Sequence, residues 1–193
     1  KKKDTSDTGC FRLSGLVFQR EGARVNYHAV GVNGAKARSY LHCRVLPGQL
    51  ESIAPDWVII SLGTNEAYSE NFPEEHFYET LSALIRLVKN HTDAWILLTT
   101  PGEGLRNRTV ENPNNYKARE IILRAARDHA CGYWDFYSVM GDAEAVQHWS
   151  DNGLMARDKL HLNKDGYRLK GNLFFDAFLK HFRAYFHTYI QNH

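Results

Sequence analysis

The chain has 193 residues, enough for one sizeable hydrophobic core. Its composition is that of a globular protein, 43% hydrophobic and 24% charged, with a formal net charge of +2. This balance excludes the strong basic excess of a nucleic-acid-binding protein, and no apolar run reaches the ~18 residues that a membrane span needs.

Apolar patterning predicts strands and helices that alternate from residue 25 onward. Residues 11–19 and 25–30 are predicted as strands, and a helix over roughly 35–45 follows the glycine turn GVNGA. Residues 56–62 form an almost continuous apolar run, which predicts a strand buried on both faces.

The second half of the chain continues the alternation. A helix begins near Pro73, a buried strand covers 94–100, an amphipathic helix covers 116–130, and residues 132–136 form a short strand. Strict alternation of this kind favours an α/β fold, a doubly wound parallel sheet with helices on both faces. Such folds bind ligands at the carboxyl ends of their strands.

The C-terminal segment, from residue 164 to the end, is predicted as one long helix with Asn163 as its N-cap. We expect its aromatic stripe to pack in the core. The stripe consists of Tyr167, Phe174, Phe178, Phe182, Tyr185 and Tyr189.

The cysteines and histidines show no metal-binding spacing. Cys10, Cys43 and Cys131 are odd in number and form no CxxC pair, and the ten histidines include no HExxH motif. The sequence therefore predicts neither a disulfide framework nor a structural metal.

Three segments carry residues suited to acyl transfer. Gly34 follows a predicted strand and could offer its backbone N–H to a developing negative charge, although a tight turn also favours glycine there. Asn65 follows the buried strand and suits an oxyanion hole or, equally, a turn cap. Asp158 lies three residues before His161, so its carboxylate could accept the Nδ1–H and leave Nε2 as a base.

The order of these segments resembles the SGNH (GDSL-like) hydrolases, esterases of flavodoxin-like fold. The glycine in the second sequence block of this family resembles Gly34. The family's Gly-x-Asn-Asp/Glu block resembles residues 63–66, and its Asp-x-x-His block resembles Asp158 and His161. The resemblance covers roughly residues 25–182. It implies an oxyanion hole from Gly34 and Asn65, His161 as general base, Asp158 as its orienting partner, and no metal or organic cofactor.

Residues 27–41 and 55–68 are closer still to the branch that contains bacterial peptidoglycan O-acetylesterases, and that branch carries a β-sandwich insert. Residues 9–22 resemble the last strand of that insert, so the expected division is 1–22 as a terminal insert strand or linker and 23–193 as the C-terminal part of the hydrolase domain. The likeness implies an acetylated glycan as substrate and an exported, periplasmic or cell-surface location.

The family's Gly-Asp-Ser block, which holds the nucleophile, does not occur in this sequence. Ser14, Ser39 and Ser61 are interpreted as structural, and Ser150 is the best of the remaining candidates. We therefore expect the serine and the first strand of the sheet to come from an N-terminal segment of the same protein, separate or cleaved. The alternatives are a non-catalytic glycan-binding or scaffolding relative of the same fold, or a plain α/β protein in which the motifs are coincidental.

Overall fold

The computed structural model describes residue 22 and residues 24–142 and 144–192, with side chains to residue 184. The chain divides into two compact units, Lys1–Val32 and Asn33–His193. The predicted strand at 11–19 and the insert-like segment at 9–21 lie outside the described residues. The expected domain division after residue 22 stays a prediction.

In the first unit, residues 24–32 are exposed and form neither helix nor strand, so the prediction of a strand at 25–30 is wrong. A strand is stabilised by a ladder of backbone hydrogen bonds to a neighbour. The strands found among the described residues pair only with one another, in the second unit.

The second unit alternates strands and helices, as predicted. Its elements in chain order are α1 (Ala37–Leu41), α2 (Leu46–Ile53), β1 (Trp57–Ser61), α3 (Thr64–Ala67), α4 (Glu74–His91), β2 (Trp95–Thr99), α5 (Asn114–Asp128), β3 (Gly132–Trp134), α6 (Phe136–Met140), α7 (Ala145–Asp151) and α8 (Lys164–Asn192). The single helix predicted over 35–45 is two short helices, because Pro47 in the first turn of α2 starts a new one.

The described sheet is parallel, with strand order β1-β2-β3. Trp57 pairs with Trp95 at the amino end and Ser61 with Thr99 at the carboxyl end, while Thr99 also pairs with Trp134. The parallel strands with their connecting helices confirm the predicted α/β fold, although the described residues form three strands where the sequence predicts four from residue 25 onward.

One face of the sheet packs against helices and forms the larger core. From β1 and β2 it takes Ile60, Ile96 and Leu98, and from α4 it takes buried residues that include Phe77 and Ile85. Burial of this apolar area supplies most of the stability of the fold.

The prediction that β1 is buried on both faces is wrong. Val58 and Ile60 point toward the helical layer, whereas Trp57 and Ile59 on the other face are 44% and 46% exposed. On that face Trp57 stacks on Trp95, with ring centroids 6.3 Å apart, and meets Phe178 of α8 edge-on at 5.3 Å. In the described part of the chain, no strand pairs with the outer edge of β1.

A second, aromatic core lies at the β3 side and joins α6, α7 and α8. Trp134 stacks on Phe136, and Phe174 of α8 meets Trp134 edge-on. The predicted core stripe of α8 is only partly right, because Tyr167 and Phe182 are 52% and 48% exposed. A helix of 29 residues is ~43 Å long and overhangs strands of ~16 Å.

The side chains of Tyr185 and Tyr189 lie outside the described ones. Among the described residues, no helix has the length and hydrophobicity to cross a membrane.

Candidate active site

Asp158 and His161 form the hydrogen-bonded pair that the sequence predicts. The His161 Nδ1 lies 2.7 Å from the Asp158 Oδ2, and both side chains are 46% exposed. The other carboxylate oxygen, Oδ1, accepts the backbone N–H groups of Leu160 (3.0 Å) and His161 (2.9 Å). With Nδ1 directed at the carboxylate, the imidazole presents Nε2 to the surroundings.

This bonding keeps Asp158 ionised. Burial raises the pKa of the carboxyl, but the backbone and ring hydrogen bonds from His161 and the N–H of Leu160 outweigh it and lower the pKa to about 2. A permanent carboxylate stabilises the imidazolium that forms when Nε2 accepts a proton.

The loop that carries the pair is fixed at both sides. Lys159 adopts a left-handed conformation (φ 56°), and its carbonyl accepts the Leu105 N–H at 2.8 Å. On the C-terminal side, the Asn163 Oδ1 accepts the N–H groups of Asp165 and Gly166, both at 3.0 Å. Asn163 is therefore the N-cap of α8, as predicted.

Asn65 lies in the first turn of α3, directly after β1, and is half-buried. Its Nδ2 donates a hydrogen bond to the carbonyl of Ala35 at 2.9 Å. Gly34 is the neighbour of that carbonyl, is exposed, and has φ +74°, which glycine adopts without strain. The two predicted oxyanion donors thus belong to adjoining loops, and Asn65 keeps a second N–H for another acceptor.

Glu66 fixes these two loops together, a role that the sequence analysis missed. The side chain is only 8% exposed, and its carboxylate accepts the N–H groups of Ala37 (2.8 Å) and Gly63 (3.1 Å). A buried carboxylate needs such donors. The sequence signal was the Glu in the GTNE motif, next to the Asn.

Three buried asparagine side chains at the start of α5 hold the loops after β1 and β2. The Asn112 Nδ2 donates to the Ala67 carbonyl (3.1 Å), and the Asn115 Nδ2 donates to the Gly104 carbonyl (2.9 Å). Asn114 likewise donates to the loop after α3. The sequence analysis assigned these residues no role, and the run NPNN at residues 112–115 was the available signal.

A cavity of about 60 Å³ lies beside the pair. It is lined by His161 and Tyr167 on one side, and by Thr64 and Glu103 from the loops after β1 and β2. Thr64, the residue next to Asn65, therefore lines the same cavity as His161, at the carboxyl ends of the strands. A wider cavity of about 640 Å³ lies at the opposite ends and holds none of the predicted site residues.

The described serines do not supply a nucleophile for His161. Ser150 receives a hydrogen bond from the Lys159 ammonium, and Ser39 accepts the Lys36 N–H at 3.1 Å. Ser61 is exposed rather than inside a buried strand, and its Oγ accepts the Thr99 hydroxyl at 2.8 Å. In the described part of the chain, none of them bonds to the imidazole, and Ser14 lies outside it.

Comparison with known proteins places this geometry in context. The model of the GDSL-like lipase/acylhydrolase family matches residues 4–169. No curated protein sequence matches the chain.

Solved structures with a similar fold include three esterases or acylhydrolases. A peptidoglycan O-acetylesterase is 24% identical, with TM-score 0.76, over 81% of this chain and 46% of that one. An acetyl xylan esterase is 22% identical, with TM-score 0.62, over 77% and 78%. A lipase/acylhydrolase from Enterococcus faecalis is 26% identical, with TM-score 0.57, over 73% and 69%. The chain thus spans less than half the length of the peptidoglycan O-acetylesterase.

Proposed function

The chain belongs to the GDSL-like lipase/acylhydrolase family, and on that premise we propose that it takes part in a serine esterase that removes O-acetyl groups from a polysaccharide. The observation that carries the proposal is the 2.7 Å hydrogen bond between the His161 Nδ1 and the Asp158 Oδ2, beside a cavity that also contains Thr64. That bond selects the tautomer whose Nε2 is unprotonated and able to act as a base.

The proposed reaction follows the acyl-enzyme route. A serine Oγ attacks the acetyl carbonyl carbon while the His161 Nε2 takes its proton. The carbonyl oxygen becomes an oxyanion, which the backbone N–H of Gly34 and the second Nδ2–H of Asn65 stabilise. The imidazolium then protonates the departing sugar oxygen, and water hydrolyses the acetyl-serine with His161 again as the base.

We assign the serine to a segment that this chain does not supply. Two observations support this part of the proposal. No described serine bonds to His161, and the outer edge of β1, beside the loop of Gly63 and Asn65, has no neighbouring strand among the described residues. Unpaired strand edges in an interior position are unfavourable, so a strand that carries the serine at its carboxyl end would satisfy both requirements.

The acetylated polysaccharide is proposed from the structural neighbours. The similar structures include a peptidoglycan O-acetylesterase and an acetyl xylan esterase, which act on different glycans. An O-acetyl group on a sugar is the substrate class that they share. An exported or cell-surface location, where such polymers occur, is part of the proposal.

The test combines covalent labelling with hydrolysis in the native preparation. A fluorophosphonate probe labels an activated serine, intact-mass measurement identifies the polypeptide that carries the label, and p-nitrophenyl acetate reports turnover. We expect the label on a segment that copurifies with this chain, and we expect His161→Ala to abolish both label and turnover. Lys180→Ala, an exposed change on α8, serves as the matched control.

The competing outcomes are distinct. A label on Ser150 or another serine of this chain would refute the external nucleophile but keep the esterase. A folded, unlabelled and inactive preparation that binds glycan would instead support a non-catalytic binding protein.

A further inference from the structure

Lys170 lines the same small cavity as His161, and the proposed reaction leaves it without a role. It lies on α8 and is half-buried, with its Nζ 4.3 Å from the centre of the Phe136 ring. The ring face attracts a cation, but the ring carries no net charge and therefore does not neutralise the ammonium.

The ammonium of Lys170 has no ion-pair or hydrogen-bond partner in the described part of the chain. Glu103, which also lines the cavity, directs its Oε2 to the N–H of Val146 at 3.0 Å. The other titratable groups that line it are His161 and Tyr167. A half-buried cation beside a catalytic base, without a counter-ion, is costly unless a ligand supplies one.

From this arrangement we infer that Lys170 makes the cavity beside His161 a binding site for a carboxylate group. The inference rests on the proposed function only in taking that cavity as the place where substrate or product lies. Its volume of about 60 Å³ leaves room for a group as small as a carboxylate.

Two sources can provide this carboxylate. One is the acetate released by deacetylation, and the other is an acidic substituent of the glycan, which would select an acidic polymer over a neutral one such as xylan. In both cases the Lys170 ammonium, which lies over the Phe136 ring, pairs with the anion.

The affinity should depend on pH in a defined direction. Burial lowers the pKa of Lys170 to about 8. The Lys170 side chain is therefore positively charged at neutral pH and loses this charge as the pH rises through 8, whereas a carboxylate ligand stays ionised. We expect the affinity to fall about tenfold or more between pH 7.5 and pH 9.5.

Binding is measured on the chain itself by ligand-observed NMR, which needs no nucleophile. The probes are sodium acetate and the matched pair N-acetylmuramic acid and N-acetylglucosamine, which differ by a carboxylate-bearing substituent. We expect Lys170→Met to weaken carboxylate binding at least fivefold, Lys170→Arg to retain most of it, and Lys180→Met, an exposed change on the same helix, to leave it unchanged.

Each result decides between the sources or overturns the inference. Binding of acetate alone assigns the site to the product, and binding of N-acetylmuramic acid but not N-acetylglucosamine assigns it to an acidic glycan. The inference is overturned if no carboxylate binds, or if Lys170→Met binds as the wild type does. Should Lys170→Met not fold, the pH dependence of the wild type and of Lys170→Arg decides, because the arginine stays charged at pH 9.5.

These results do not depend on the esterase assay. If carboxylate binds but no serine is labelled, the proposed esterase function is refuted and the carboxylate site is retained. If the esterase is active and labelled but carboxylate binding does not depend on Lys170, the site is refuted and the esterase function is retained.

Discussion

Two glycines of α8 test how the Asp-x-x-His loop is held in place. Gly166 lies in the first turn of the helix, and Gly171 lies about one and a half turns later. A Cβ on Gly166 would lie well inside 3.0 Å of the Leu154 carbonyl oxygen and 3.0 Å from the Leu162 Cβ. That same carbonyl accepts the N–H of Asn163 at 3.0 Å. A Cβ on Gly171 meets nothing within 4 Å.

The same substitution should therefore change stability in opposite directions at the two positions. In an open helical position, Gly→Ala stabilises by about 0.5–1 kcal/mol, through helix propensity and the loss of unfolded-chain entropy. At Gly166 the contact is with backbone that is already hydrogen-bonded, so relief requires the helix and the loop to separate. Overpacking of this kind costs about 1–3 kcal/mol, and the expected net change is about 1–2 kcal/mol of destabilisation.

Thermal unfolding followed by circular dichroism measures both variants. For a domain of this size, 1 kcal/mol corresponds to about 2–4 °C in Tm. We expect Gly171→Ala to raise Tm by about 2 °C and Gly166→Ala to lower it by about 2–8 °C. An unchanged or higher Tm for Gly166→Ala would refute the claim that contact with Leu154 fixes the start of α8.

Three further predictions concern the site itself. Glu66→Ala leaves two buried N–H groups without acceptors, so urea unfolding should show a loss of about 3–5 kcal/mol, against little change for the exposed control Glu79→Ala. Asn65→Ala should lower kcat for p-nitrophenyl acetate by about 10²–10³ with a smaller change in KM, and an unaltered kcat would remove Asn65 from the oxyanion hole. Asp158 has a folded pKa of about 2, below the ordinary 3.8, so its contribution to stability is present above about pH 4 and is lost as the pH falls through 2. The urea midpoints of wild type and Asp158→Asn should therefore differ at pH 6 and approach each other at pH 2.5. An equal difference between the two midpoints at both pH values would contradict the assignment.

Much of the fold follows from local patterns. The helix around Phe77 and Leu81, the strand of residues 95–99 and the cap at Asn163 were all predicted because the periodicity or capping residue lies within a few positions. Asp158 and His161 were paired correctly for the same reason, since a three-residue separation lets a carboxylate reach the imidazole without help from the rest of the chain.

The predictions that failed depend on neighbours that are distant in sequence. An apolar run does not determine how many faces of a strand will be buried. Ile59 was predicted to be buried, but its side chain is 46% exposed. Residues 25–30 have the composition of a strand, yet a strand forms only when another strand supplies its hydrogen bonds.

By itself, then, the sequence determined the α/β alternation, the position of the candidate catalytic motifs and the internal geometry of the Asp-His pair. Only the tertiary structure decided that Glu66 connects the segments of Ala37 and Gly63, and that Lys170 lines the cavity of His161, where the described residues offer it no counter-ion. The physical reason is that hydrogen-bond acceptors and charges act over a few ångströms of space, and folding brings together groups that are tens of residues apart along the chain.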